Sequence, residues 1–227
     1  MLTCSFQIEL REQQVSKTVK PDIETSGIEA RFYDKLVFIG TFGLYHRLLK
    51  RVVEAMDIRP GDHILDMGAG TGKNALLMHP NLDKGSITAL EIGRVMQRKF
   101  RRKCGGIRNI YLENLHIEEP LPYRDRFDKA FISYVLHGFE HEQRRSIIQN
   151  AYQALKQNGR LFIFDWNEFN LNESGLVMRF FMNRIECRPA REFIQQDLQK
   201  LLSRTGFRDM HSNLYFRNRI RLLSCIK

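Results

Sequence analysis

The chain has 227 residues, enough for one domain with a substantial core, and an ordinary apolar share of 43%. Its apolar runs are far short of a bilayer span, and its start, MLTCSFQIELREQQ, lacks a basic stretch followed by an apolar one, so neither a membrane helix nor a secretory leader is expected. The net charge of +10, from 36 Lys and Arg against 26 Asp and Glu, suits an anionic membrane surface or nucleic acid, but only Lys99–Lys103 is dense and no aromatic series interleaves with it, so a solvated surface is expected instead.

Residues 1–27 are polar and aperiodic and read as a tail. From Ile28 to about Met56 apolar residues recur at helical spacing (Phe32, Leu36, Ile39, then Leu44, Leu48, Val52, Ala55), with Gly40 and Gly43 dividing two helices. The turn Arg59-Pro60-Gly61-Asp62 precedes an alternation. Strands are expected at His63–Met67, Ser86–Ile92, Ile107–Glu113, Phe127–Leu136 and Gly159–Trp166, and helices at Gly72–His79, Val95–Lys103 and Glu140–Gln157. Such alternation argues a parallel sheet with helices on both sides. A helix over Ala190–Thr205 stops at Gly206, and strands Asp209–Phe216 and Asn218–Cys225 are joined so briefly at Arg217 that they must pair antiparallel. The expected fold is α/β: a Rossmann-like seven-stranded sheet, mostly parallel, with a C-terminal antiparallel hairpin. It forms one domain over 28–227, divided as a helical cap (28–58), a core (59–166), a cover (167–190), and a terminal helix and hairpin (191–227).

Cys4, Cys104, Cys187 and Cys225 are dispersed, with no CxxC and no paired His. They predict reduced thiols in a cytoplasm and no metal site. His137 and His141 stand four apart, a spacing that holds metal on a helix, but Gly138 weakens that helix and no third ligand is in view.

The stretch ILDMGAGTGKN (Ile64–Asn74) carries the chemistry. A phosphate-binding P-loop needs Gly where Met67 stands and Ser or Thr where Asn74 stands. The dinucleotide fingerprint fits Gly68 and Gly70 but finds Lys73 at its last glycine position. The pattern Asp66-x-Gly68-x-Gly70-x-Gly72 after an apolar strand instead resembles motif I of the class I S-adenosylmethionine-dependent methyltransferases. That resemblance implies that Gly68, Ala69, Gly70 and Thr71 let backbone approach the cofactor's amino-acid tail and ribose. It implies that Asp66 supplies negative charge near the ammonium, through water or backbone.

Other motifs follow in the family's order. Glu91 ends the second strand beside Ile92, placed to take both ribose hydroxyls. Glu113 and Asn114 end the third, where the family meets the adenine; either could face it. FDKAFISYVLH (Phe127–His137) resembles motif IV, which puts Ser133 and Tyr134 near cofactor and substrate, and His137 as a base or as a cap on the next helix. Ala154–Leu161 resembles the family's turn between helix and strand. Before motif I, Tyr33-Asp34 and Gly43–Arg51 resemble the ubiquinone/menaquinone-biosynthesis C-methyltransferases, with Tyr33 either a lid over the cofactor or a core aromatic. The chain departs from that group where Val135-Leu136-His137-Gly138 replaces its G-L-R-N stretch. The resemblance implies S-adenosylmethionine as cofactor and an apolar or aromatic small molecule as substrate; a quinol or lipid precursor is one candidate, against which that departure argues. His137, Tyr134 and Asp165 are the candidate proton acceptors. Phe169, Met178, Phe180, Phe181 and Met182 suggest an apolar cover, or ordinary core. Alternatives are an amine or nucleic-acid methyltransferase, for which the Asn/Asp-Pro-Pro-Tyr tetrapeptide is missing (Ser133–Leu136 stands there), and a non-catalytic or dinucleotide-binding relative.

Overall fold

A computed structural model describes residues 44–176, 179, 180, 182 and 188–227. The expected tail, the first cap helix with Tyr33, and Cys4, Met178, Phe181 and Cys187 lie outside the described residues.

Helix α1 (Leu44–Ala55) forms because its apolar positions fall on one face: Leu48, Leu49, Val52 and Val53 are buried, and Arg47, Lys50, Arg51 and Glu54 are exposed. The chain then alternates. Strand β1 (His63–Met67) leads to α2 (Lys73–Met78), β2 (Ser86–Leu90) to α3 (Arg94–Cys104), and β3 (Ile110–Glu113) through a long loop to β4 (Phe127–Ser133). Helix α4 (His141–Ala154) precedes β5 (Leu155–Trp166), and α5 (Arg188–Phe193), α6 (Leu198–Thr205), β6 (Arg208–Tyr215) and β7 (Ile220–Ile226) complete the chain.

The seven strands lie in the order β3-β2-β1-β4-β5-β7-β6. Strands β1 to β5 are parallel, and β7 runs antiparallel to both β5 and β6. Strand order reverses between β1 and β4, so the loops after those two strands diverge and open a crevice at their carboxyl ends, the usual ligand position in such sheets. Central strands are buried on both faces: Ile64, Leu65, Asp66 and Met67 are fully enclosed, as are Ala130, Phe131 and Ile132. Among the described residues no helix is long and apolar enough to cross a membrane.

Several boundaries differ from expectation. Strand β4 ends at Ser133 rather than Leu136, because Tyr134 adopts φ 53° and Leu136–Gly138 turns as a 3₁₀ helix. Strand β3 starts at Ile110, since Ile107–Ile110 closes a turn through the Ile110 N–H and the Ile107 carbonyl. Helix α4 stops at Ala154, and β5 begins at Leu155 with an irregular pairing to β4 that places Asn158 at φ 64°. The single helix expected over Ala190–Thr205 is two. Asp197 sits outside helical geometry and caps α6 by accepting the Lys200 N–H at 2.9 Å. The hairpin turns over Phe216–Arg219 rather than at Arg217 alone, with Phe216, Arg217 and Asn218 all at positive φ.

Candidate functional site

The glycine loop leaves β1 at the crevice. The N–H groups of Gly68 and Ala69 both donate to the Leu90 carbonyl, at 3.0 and 2.9 Å, tying the loop to the end of β2. Gly68, Gly70 and Gly72 have φ of 79°, 54° and 79°, which glycine alone adopts freely. A Cβ on Gly68 would lie 2.5 Å from Val135, and one on Gly72 2.8 Å from both Cys104 and Phe100; at Gly70 it would meet nothing within 4 Å. Gly68 and Gly72 thus permit close packing within the protein. Gly70 keeps the crevice side of the loop open.

Glu91 closes the loop from β2. Its carboxylate accepts the Gly70 N–H at 2.8 Å on Oε2 and the Gly93 N–H at 2.7 Å on Oε1. Each oxygen keeps a second acceptor position. Burial holds this carboxyl above its usual range, despite the backbone donors that pull it down.

Asp66 is the anomaly. It is fully buried, and neither carboxylate oxygen has a hydrogen-bond partner among the described residues. Burial, with a smaller contribution from the Glu91 charge, raises its pKa from 3.8 to about 7. A buried carboxylate beside a glycine loop with open space at Gly70 fits a cationic group brought by a ligand, and a nucleoside cofactor bearing an ammonium meets both observations.

At the end of β3, Glu113 is engaged: its Oε2 accepts the Tyr123 hydroxyl at 2.6 Å. Asn114 is exposed, and its Oδ1 accepts from Gln97 Nε2 at 2.7 Å. Gln97, buried on α3, also donates to the Glu91 carbonyl at 2.6 Å. Nothing in its helical spacing marks it as more than a polar residue among arginines; only the packing of α3 shows that it joins the two loops.

At the β4 end, Ser133 and Tyr134 are half-buried. Tyr134 donates its N–H to the Phe164 carbonyl at 2.8 Å, and its ring meets Phe164 and Trp166 edge-on at 5.1 and 6.2 Å. A tyrosine at positive φ stores strain that surrounding contacts must hold. His137 and Asp165, separate in sequence, come together: His137 Nδ1 lies 2.7 Å from Asp165 Oδ1, and Asp165 is wholly enclosed. Asp165 Oδ1 also accepts the Trp166 N–H at 2.8 Å. A carboxylate facing Nδ1 selects the tautomer with its proton there, leaving Nε2 as the basic nitrogen.

Asp165 faces Arg221 across β5 and β7. Arg221 is 2% exposed; Nη1 donates to Glu168 Oε1 at 2.9 Å, while Nε and Nη2 find no partner among the described residues. Arg144, also buried, donates to the carbonyls of Leu136 and Pro189 and to Gln196. These buried cations bear no motif and are legible only in three dimensions. In the cover, Phe169 packs edge-on against Trp166 at 6.5 Å and Met182 is buried, whereas Phe180 is exposed. A groove of about 670 Å³ between α4 and α6, lined by residues such as Arg145, Asp197 and Lys200, contains none of the candidate cofactor residues.

Residues 64–159 match the family described as a methyltransferase domain. The chain is similar to the ubiquinone/menaquinone biosynthesis C-methyltransferase UbiE of Wigglesworthia glossinidia brevipalpis, 30% identical over 142 residues that cover 60% of this chain and 55% of the relative. The same-named enzyme of Shewanella sediminis is 31% identical over 142 residues, with the same coverage. The chain thus spans a little over half the length of these relatives. A solved S-adenosylmethionine-dependent methyltransferase of Aquifex aeolicus has a TM-score of 0.60 at 17% identity, covering 78% of this chain and 88% of that one. A Haemonchus contortus phosphoethanolamine N-methyltransferase, solved with S-adenosylmethionine, has a TM-score of 0.65 at 11% identity, covering 80% of this chain and 52% of that one. The glycine loop, the strand order and the match agree: residues 64–159 are similar to a methyltransferase domain, within a fold shared with solved S-adenosylmethionine-dependent methyltransferases.

Proposed function

We propose that this protein transfers a methyl group from S-adenosylmethionine to an apolar or aromatic small molecule, a quinol or lipid precursor being the favoured class. The observation that supports the cofactor side is Asp66: a buried carboxylate beside a glycine loop, without a hydrogen-bond partner among the described residues, which suits a cationic amino group. The bound cofactor supplies an electrophilic methyl group on a sulfonium. The chain's own part is to hold donor and acceptor in line and to keep water out.

The cofactor residues are Asp66, Gly68, Ala69, Gly70 and Thr71 toward the amino-acid tail, Glu91 and Ile92 at the ribose, Asn114 at the base and Ser133 near the sulfonium; Tyr33, outside the described residues, is the further candidate from the sequence. Asn114 is favoured over Glu113 because the Glu113 carboxylate already serves Tyr123. His137, oriented by Asp165, takes a proton from a phenol or enol acceptor, and the Tyr134 ring lies beside it with centroids 6.1 Å apart.

The similarity to UbiE enzymes supports a quinone-precursor substrate. A membrane-surface encounter suits such a substrate. The exposed cations of α1 (Arg47, Lys50, Arg51) and the exposed Phe216 and Arg217 of the hairpin lie near one small groove, which Arg47, Arg51 and Phe216 line. Cys104 and Cys225 are free and buried, as suits a reducing cytoplasm.

Calorimetric titration with S-adenosylmethionine, S-adenosylhomocysteine, NAD and ATP tests the reading. Binding of the first two alone, weakened at least about tenfold in Glu91→Ala, is expected. Binding of NAD or ATP instead, or no binding at all, would sink it.

A further inference from the structure

Gln97 holds an amide whose orientation its neighbours leave no choice about. Nε2 donates to the Glu91 backbone carbonyl at 2.6 Å, and Oε1 accepts from Arg101 Nη2 at 3.3 Å. A carbonyl can only accept and a guanidinium can only donate, so both ends of the Gln97 amide are assigned. Its second N–H points to Asn114 at 2.7 Å and requires an acceptor there. Only Oδ1 of Asn114 satisfies it. A chain of fixed polarity therefore runs from Arg101 through Gln97 to Asn114. It determines which edge of the Asn114 amide carries the donors.

We propose that Gln97 is a specificity-determining positioning residue: by pinning the Asn114 amide it makes the site select a 6-aminopurine over a 6-oxopurine on the nucleoside cofactor. The proposal rests on the reading that Asn114 meets the base. Adenine presents a donor amine beside an acceptor ring nitrogen; hypoxanthine presents an acceptor oxygen beside a donor. An unrestrained amide turns over and serves both. A pinned one serves a single pattern, because turning it would set the Asn114 Nδ2 against the Gln97 Nε2. Two donors would then face each other, one at a residue that is 7% exposed. The exposed Arg101 on the rim of α3 thereby influences base choice through the buried Gln97.

The test is calorimetric affinity for S-adenosylhomocysteine and for its deaminated analogue, S-inosylhomocysteine. The proteins are the wild type, Gln97→Met, Arg101→Met and Asn114→Ala, with thermal melting as the check on folding. The wild type is expected to prefer the adenine compound at least about tenfold, the usual cost of a mismatched buried donor. Gln97→Met, unbranched and of similar length, is expected to bring the two affinities within about threefold by strengthening binding of the analogue. Arg101→Met, a surface change that does not threaten folding, is expected to move the ratio the same way by less. Equal affinities in the wild type would overturn the proposal. So would a wild-type preference that persists in both methionine variants while Asn114→Ala weakens binding of either compound. If Asn114→Ala leaves both affinities unchanged, Asn114 does not meet the base and the proposal falls with that reading. Failure of the wild type to bind S-adenosylhomocysteine at all would instead strike the cofactor assignment.

Discussion

A methyl group added at Gly68, Gly70 or Gly72 meets three different surroundings, and the differences separate stability from binding. Gly68→Ala forces a Cβ to 2.5 Å from Val135 at φ 79° and is expected to lower stability by about 2 kcal/mol or more, seen as a lowered Tm. Gly70→Ala meets only the backbone cost of φ 54°, about 1 kcal/mol, yet its methyl group enters the crevice. It should melt close to wild type and lose cofactor affinity at least tenfold in the same titration. Equal loss of binding and of stability in both variants would deny Gly70 its separate role.

Asp66 gives a pH signature with a definite sign. Its folded pKa of about 7 lies above the ordinary 3.8, so between those values the folded state holds a proton that the unfolded chain has released. This group's contribution is full below about pH 4 and is lost as pH rises through about 7. Asp66→Asn removes that loss. Denaturant titration should show the variant more stable than wild type at pH 8, by on the order of a few kcal/mol, and little different at pH 4. The same substitution should abolish cofactor binding, since an amide cannot neutralise an ammonium. Wild-type binding near pH 7 should release protons, because a cation drives Asp66 to its charged form; calorimetry in buffers of differing ionisation enthalpy measures this.

At the scale of elements, the ends of β4 and β5 meet in a shared polar corner. His137 lies on the 3₁₀ turn after β4, and Asp165 lies near the end of β5. Their 2.7 Å contact depends on β4 and β5 holding register, Ser133 against Phe164. Asp165→Asn keeps the shape and can present either a donor or an acceptor to Nδ1. Nitrogen-15 shifts of the His137 ring are expected to change from one tautomer to a mixture, and an unchanged spectrum would remove Asp165 from the orienting role. The α6 cap is a simpler case: Asp197→Ala leaves the Lys200 N–H without its acceptor and should cost about 1 kcal/mol in a thermal melt, without effect on cofactor binding.

At the scale of the whole molecule, stability should grade outward from the centre of the sheet. Strands β1 and β4 are paired on both sides and buried on both faces, whereas β6 is an edge strand with Met210 and Tyr215 half-covered and the rest exposed. Amide exchange is expected to be slowest in Ile64–Met67 and Ala130–Ile132 and fastest in Arg208–Tyr215. Equal protection across β6 would mean that its outer edge is covered in solution.

How much of this was legible beforehand follows from the range of each interaction. Strand β1 opens on the exposed His63 and then follows the apolar run from Ile64 to Met67, because burial on both faces there admits no polar residue except one with a task, and Asp66 is that residue. The glycine loop and Glu91 could also be read from the chain, because positive φ and a strand-end acid are local requirements with local signatures. The helix break before Asp197, the premature end of β4 at Tyr134 and the four-residue hairpin turn could not: Tyr134 is held by the distant Phe164 carbonyl, and the other two are set by a cap and a turn that the apolar pattern does not mark. The sequence by itself determined the alternation of strands and helices, the glycine loop and hence the cofactor class. Only the tertiary structure decided that Asp165 orients His137, that Gln97 bridges Glu91 and Asn114, and that Arg221 and Arg144 are buried. Those pairings join residues 6 to 53 positions apart, and no periodicity or motif encodes which side chains the fold will bring face to face.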